Sequence, residues 1–309
     1  MNSAEAPVDV AVAIPPSTHL TAGALSGAFA ASVTQPLDVV KTRMQAEPVE
    51  RRQLPRYTGV RQALRVIATE EGARGLFVGL APSVLALVPA LSSFFTVYTS
   101  TKRWAFGVDP NGRGDTPLAS GVSAGTAWVV TAMLTNPLWV VRTRIITQIL
   151  REGKVCQQSS TSPRGMSIVR ATQGIVREEG FRGLYRGTAV AMAGFPAASV
   201  QFALYEPMKS MLLSESSASS PPNVVCLAVA SSVSSFVSQM VCFPLEVVRT
   251  RIQSGMEGPD MRLFALIRRM LARKGLRSFY RGLMPSMLRT VPNSAAALVS
   301  YEFFLSMLT

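Results

Sequence analysis

The chain reads as an all-α membrane protein: six transmembrane helices in three pseudo-symmetric repeats, each repeat carrying a short amphipathic helix. Three observations predict this. Only 16% of the 309 residues are charged, yet the net charge is +13. A soluble chain carries about a quarter charged residues. A ten-residue motif recurs as PLDVVKTRMQ at 36–45, PLWVVRTRII at 137–146 and PLEVVRTRIQ at 244–253. An apolar stretch precedes each copy: residues 20–40 carry one charge, Asp38, and residues 117–141 and 222–245 carry none. About 20 apolar residues suffice to span a bilayer.

Taken in order, residues 1–19 form a tail. The first 40 residues contain no Lys or Arg but do contain Glu5 and Asp9, unlike an arginine-rich transit peptide or a secretory signal with a basic start. Entry into an organelle is therefore expected to use internal signals. Three repeats follow, at 20–105, 115–213 and 222–309. Each opens with its apolar stretch and proline motif. Small residues four apart, Gly23 with Gly27 and Gly121 with Gly125, predict close helix approach. A polar linker leads to an amphipathic stretch at 60–72, 166–180 and 261–275. There Val60, Leu64 and Ile67 share a face flanked by Arg61 and Arg65, which reads as an interfacial helix with its apolar side in lipid. A second motif comes next: EGARGLFVG at 71–79, EGFRGLYRG at 179–187 and KGLRSFYRG at 274–282. A second apolar stretch closes each unit, at about 79–105, 187–213 and 282–308. In each, a proline stands nine residues before a tyrosine: Pro89 and Tyr98, Pro196 and Tyr205, Pro292 and Tyr301. Marks repeating in one order identify homologous units.

The proline motif has a physical logic. Pro36, Pro137 and Pro244 each delete a backbone hydrogen bond near the end of a span and are expected to kink it. Asp38 and Lys41, three apart, share a helix face. Charges at that depth need partners. Three such helices, each offering an acid and a base, close a ring of inter-helix pairs at one end of a central cavity. The middle copy carries Trp139 in place of the acid.

Other chemistries find little support. Cys156, Cys226 and Cys242 show no metal-ligand spacing, and His19 is the only histidine. Neither a metal site, nor a resident cofactor, nor a nucleophilic enzyme is predicted. Basic residues lie between apolar stretches, with 7% aromatics, so nucleic acid is not an expected partner.

The tripled proline motif, the FVG and YRG segments and the Tyr-Glu ends resemble the mitochondrial carrier family over about residues 20–309. The resemblance implies six tilted helices around one central substrate site. It also implies alternating access between two sides of the mitochondrial inner membrane, with a peroxisomal membrane as the alternative. It implies a monomer with a small anionic substrate, most often exchanged. The family's matrix-side ring, carried over, pairs Asp38 with Arg142 and Glu246 with Lys41. Its third pair would join position 139 to Arg249, and Trp139 cannot form it. The cytoplasmic ring falls on Lys102, Glu206, Lys209 and Glu302. Tyr98-Thr99 lacks the acid and Tyr301 to Leu305 lacks the base, so Glu302 with Lys102 is the one intact pair. Two pairs against one predict a substrate-free state closed at the matrix end.

The family's contact points fall on Ala86 and Leu87, Ala193 and Gly194, and Arg289 and Thr290. Arg289 is the one charge among them, and its forked donors suit a phosphate or carboxylate. Asn293 is a further candidate, for a base edge. The scarcity of other central charge favours a lightly charged or largely planar ligand. NPLWVVRTR, Tyr98-Thr99 and the run Leu288 to Ser294 resemble the branch carrying pyrimidine nucleotides, NAD, FAD or folate. Trp139 there is either a packing residue or linked to substrate. Motifs around Gly59, Gly79, Gly187 and Gly282 resemble the family's cardiolipin sites.

Overall fold

A computed structural model describes residues 16–47, 57–107, 116–152, 167–193, 224–256, 258 and 263–308. The described residues are helical, with no strand among them. The elements are α1 (Pro16–Ala46), α2 (Val60–Glu70), α3 (Leu80–Phe106), α4 (Pro117–Glu152), α5 (Ile168–Glu179), α6 (Thr188–Met192), α7 (Val224–Ser254), α8 (Leu263–Lys274) and α9 (Leu283–Leu308). Short 3-10 segments at Ala73–Phe77, Phe181–Tyr185 and Leu276–Tyr280 precede α3, α6 and α9. The apolar stretch predicted at 187–213 is described only through α6 and Ala193; its remainder lies outside the described residues.

Length and composition let Ala73–Phe106 and Ala119–Gln148 cross a membrane. Their outer faces leave Leu85, Val88, Phe95 and Leu134 exposed, as an apolar solvent allows. α1 packs along α9, and α3 along α4. Pro36, Pro137 and Pro244 sit inside continuous helices, so the helix runs through each proline. The residue before each proline ties its helix to the same repeat. Gln35 Nε2 donates to Val78 O at 2.8 Å, and Asn136 Nδ2 to Leu184 O at 3.1 Å. In the third repeat Phe243 stacks on Tyr280 instead, with centroids 6.5 Å apart.

The amphipathic helices differ from expectation. Ala63 and Ile67 of α2 are buried against Val39, Val40, Tyr57 and Ile146. Ala171 and Ile175 of α5, and Leu266 and Met270 of α8, turn inward likewise. The inward stripe therefore serves the protein core, because the proline-end segments of α1, α4 and α7 offer it an apolar wall. A different set of apolar side chains, Val169, Phe181, Phe264 and Leu276, remains exposed. The small-residue reading holds at Gly27, where a Cβ would lie 2.6 Å from Leu87 Cδ2, but Gly23 and Gly121 face open space. A stripe spaced for packing lacks a partner helix there among the described residues.

Gly79, Gly187 and Gly282 cap the starts of α3, α6 and α9 with φ of +83°, +78° and +85°, a region that side chains with a Cβ adopt at a cost. Each also sits against the odd helix of another repeat. A Cβ at Gly79 would meet Ile146, at Gly187 Gln253, and at Gly282 Gln45. Ile146, Gln253 and Gln45 each stand nine residues after their motif's proline.

Candidate functional site

The proline ends of α1, α4 and α7 converge. Arg142 donates to Asp38 Oδ2 at 2.8 Å, and Lys41 Nζ lies 2.5 Å from Glu246 Oε1. These are the two pairs expected between neighbouring odd helices. Asp38 Oδ2 also accepts from Arg289 at 3.0 Å. Arg142 Nε donates to the Ser83 hydroxyl. One carboxylate thus bridges α1, α4 and α9.

Trp139 stands three residues before Arg142, its indole centroid 5.3 Å from that guanidinium. It gives Arg142 an aromatic face and gives Arg249 no acid. Among the described residues Arg249 makes no ion pair, and its Nε is buried without a hydrogen-bond partner.

Beneath this layer lies a second ring. Arg43 Nε donates to Ile146 O at 3.1 Å, Arg144 Nε to Gln253 O at 2.8 Å, and Arg251 Nε to Gln45 O at 3.0 Å. The arginine seven residues after each proline therefore reaches the carbonyl nine residues after the next one, cyclically. Gln45 and Gln253 lie in last turns, whose carbonyls lack intrahelical donors. Thr250 donates to Gln45 Oε1 at 2.9 Å and Thr143 to Gln253 Oε1 at 3.3 Å, bracing the same seams.

Glu71 and Glu179 hold two of these arginines. Arg43 grips Glu71 through both terminal nitrogens. Arg144 pairs with Glu179 at 2.6 Å, and Arg186 adds a second contact at 2.9 Å. Burial alone would raise the Glu179 carboxyl, but Arg144 and Arg186 together hold it below the ordinary glutamate range. Gly75 and Gly183 make room: a Cβ there would lie 2.5 Å and 2.8 Å from the Cβ of Glu71 and Glu179. In the third repeat Lys274 replaces the acid and Ser278 the glycine.

A cavity of about 430 Å³ opens above the proline end. Arg289, Asn293 and Leu87 line it, with Asp38, Lys41, Trp139, Arg142, Glu246 and Arg249 also facing it. Its four cations and two anions leave a formal surplus of two positive charges. That is more charge than the contact points alone suggested, because the ring bases share the cavity with Arg289. Asn293 Oδ1 lies 3.4 Å from the Thr34 hydroxyl.

Other expected residues lie elsewhere. Ala86 is fully buried in the α3 packing. Thr290 accepts from Gln239 of α7 at 3.0 Å, one helix seam away from the cavity. Ala193 is exposed at the end of the described segment, and Gly194, Glu206 and Lys209 lie outside the described residues. Glu302 is exposed and forms no ion pair with Lys102. The Lys102 ammonium instead lies 4.9 Å from the Tyr98 ring centroid. The expected Glu302–Lys102 contact is not formed in this matrix-end-closed arrangement. Near the glycine caps, Arg281 is held by Glu47, and Arg186 by Glu179 and by Gly258 O at 2.6 Å. Protein groups thus already engage both bases. Gly59 caps α2 beside open space.

The second ring escaped sequence reading. The repeat spacing of Arg43, Arg144 and Arg251 was visible, as was that of Glu71 and Glu179. Nothing local, however, says that a base near one motif reaches an acid near the other.

The description "Mitochondrial carrier protein" matches residues 13–108, 113–216 and 220–309. The chain is 36% identical over 298 residues to "Mitochondrial nicotinamide adenine dinucleotide transporter 1" of Saccharomyces cerevisiae, covering 93% of this chain and 77% of that protein. It is 34% identical over 290 residues to "Nicotinamide adenine dinucleotide transporter 1, chloroplastic" of Arabidopsis thaliana, covering 92% and 89%. It is 31% identical over 318 residues to "Solute carrier family 25 member 33" of Mus musculus, covering 94% and 95%. With three matched repeats and a charged chamber between the described helices, the chain belongs to the mitochondrial carrier family, whose fold is a six-helix membrane bundle, as a multi-pass membrane transporter of a small solute and not an enzyme.

Proposed function

We propose that the chain moves a nucleotide or nucleotide-derived cofactor across the mitochondrial inner membrane by alternating access, as an exchanger and a monomer. The observation that carries this reading is Arg289. It faces the cavity, is 3.0 Å from Asp38, and retains a buried Nε without a partner. An incoming phosphate competes with Asp38 for this guanidinium. Drawing Arg289 away leaves Asp38 with Arg142 alone and loosens the seam between α1 and α9. Substrate binding is thereby coupled to the gate formed by Asp38, Lys41, Arg142 and Glu246, which lies on the matrix side. A ligand opens a gate only by favouring the open state. Relatives named as nicotinamide adenine dinucleotide transporters support the ligand class. The likeness of NPLWVVRTR to the nucleotide branch supports it too. Cardiolipin at the Gly59, Gly79, Gly187 and Gly282 motifs belongs to the same proposal.

The test is counter-exchange in liposomes loaded with NAD, pyrimidine nucleotides, flavin nucleotides or dicarboxylates. Saturable exchange of nucleotides, lost in Arg289→Ala, is the expected result. Transport of other anions only, or an unselective leak, contradicts the reading. A leak would mark a pore.

A further inference from the structure

We propose that Arg249 is a second anion anchor, freed for substrate by Trp139, and that it selects ligands carrying two or more phosphates. The inference rests on the nucleotide reading above and deepens it.

Lys41, Arg142 and Arg249 occupy the same place in their three motifs. The first two lie on acids of neighbouring helices, Glu246 at 2.5 Å and Asp38 at 2.8 Å. The acid that would complete the set belongs at position 139, where an indole stands. Glu246, three residues before Arg249 on its own helix, is committed to Lys41 through Oε1. Arg249 therefore faces the cavity with no direct ion pair among the described residues and with a buried, unpartnered Nε.

A guanidinium at membrane depth whose one nearby acid, Glu246, is held by Lys41 is costly. Retaining it while removing its acid makes sense if an anion arrives from outside the protein. The cavity's two surplus positive charges match a ligand with two anionic groups, one for Arg289 and one for Arg249. Trp139 lines the same cavity and offers a planar face on which a base can stack. A carrier with an acid at position 139 would instead spend Arg249 on its own latch.

The experiment uses the full chain in liposomes, as wild type, Arg249→Ala, Arg249→Lys and Trp139→Glu. Probes are NAD against nicotinamide mononucleotide, and UTP against UMP. Losing one charge-assisted contact predicts a rise in KM of about ten- to a hundredfold. Arg249→Ala should show this for NAD or UTP while changing the mononucleotides less than about threefold. Arg249→Lys should restore part of it. Trp139→Glu leaves Arg249 in place but supplies its acid, so it should raise the same KM values. It keeps the question open to refutation if Arg249→Ala does not fold. Equal effects on mono- and polyphosphate ligands, or a change in maximal rate alone, overturn the anchor and leave Arg249 a structural base. A wild type that exchanges no nucleotide overturns the parent reading, and this inference with it.

Discussion

Asp38 is the residue on which most of the site turns, because one oxygen serves both Arg142 and Arg289. Its pairing with Arg142 was implied by the resemblance of the tripled motif to the carrier family's matrix-side ring. Its hold on Arg289 was not, since no spacing rule links residues 251 positions apart. The same divide separates the two rings. Lys41 with Glu246 was implied by the same resemblance. Arg144 with Glu179 was not, since one is a flanking base in one motif and the other an acid in a second. That buried pair makes its own prediction. Side-chain exposure is 4% for Arg144 and 9% for Glu179, and removing one partner of a buried pair costs about 3 kcal/mol or more. Glu179→Gln should lower the thermal midpoint in detergent at neutral pH by about 5 °C. Because the folded-state carboxyl titrates below its ordinary value, its stabilisation is complete above the usual glutamate range. It is lost as pH falls through the lowered value. The wild type should therefore lose midpoint on the acid side, and Glu179→Gln should lose less. Equal acid slopes in scanning fluorimetry would contradict this.

Among the elements, the even helices begin where the odd helices end, and glycine makes that junction possible. The glycine positions were legible as repeats and were read as lipid motifs. The geometry adds a packing role, because the caps have positive φ and press on neighbouring odd helices. Gly282→Ala puts a Cβ 3.1 Å from Gln45 Cγ and 3.2 Å from Lys41 O, at φ +85°. It should cost about 1–2 kcal/mol from the backbone conformation alone. Gly59→Ala, at an extended φ of −159° with open space around it, should cost much less. Melting both variants with and without cardiolipin separates the two roles. A stability loss at Gly282 that persists without lipid is the expected outcome. A loss seen only with lipid present would assign the position to lipid. The amphipathic helices were legible as amphipathic, but not in the direction they face. Periodicity identifies a stripe, whereas its partner, lipid or protein, depends on what the odd helices present.

Across the molecule, the three repeats are unequal in a way that follows from single substitutions. Trp139 removes one pair from the upper ring, and Lys274 replaces one acid in the lower ring. The proline end is still latched by Lys41–Glu246 and Asp38–Arg142 and by the cyclic Arg43, Arg144 and Arg251 contacts. At the other end, Glu302 and Lys102 are unpaired with each other. The tripled pattern made this three-fold frame legible before any coordinates. The orientation of each cavity-facing side chain was not, because a rotation of one helix by a single residue moves Thr290 from cavity to seam. The claim that ties these scales together is an ionic latch that closes the proline end at rest and yields to substrate. Its most direct measurement places one cysteine at Ala31, a cavity-lining residue of α1, in a chain with Cys156, Cys226 and Cys242 replaced. An impermeant maleimide is then applied from each side of oriented liposomes. Without substrate, labelling should occur only from the side opposite the proline end, and adding NAD or UTP should open labelling from the proline side. Substrate-free labelling from the proline side would contradict the account.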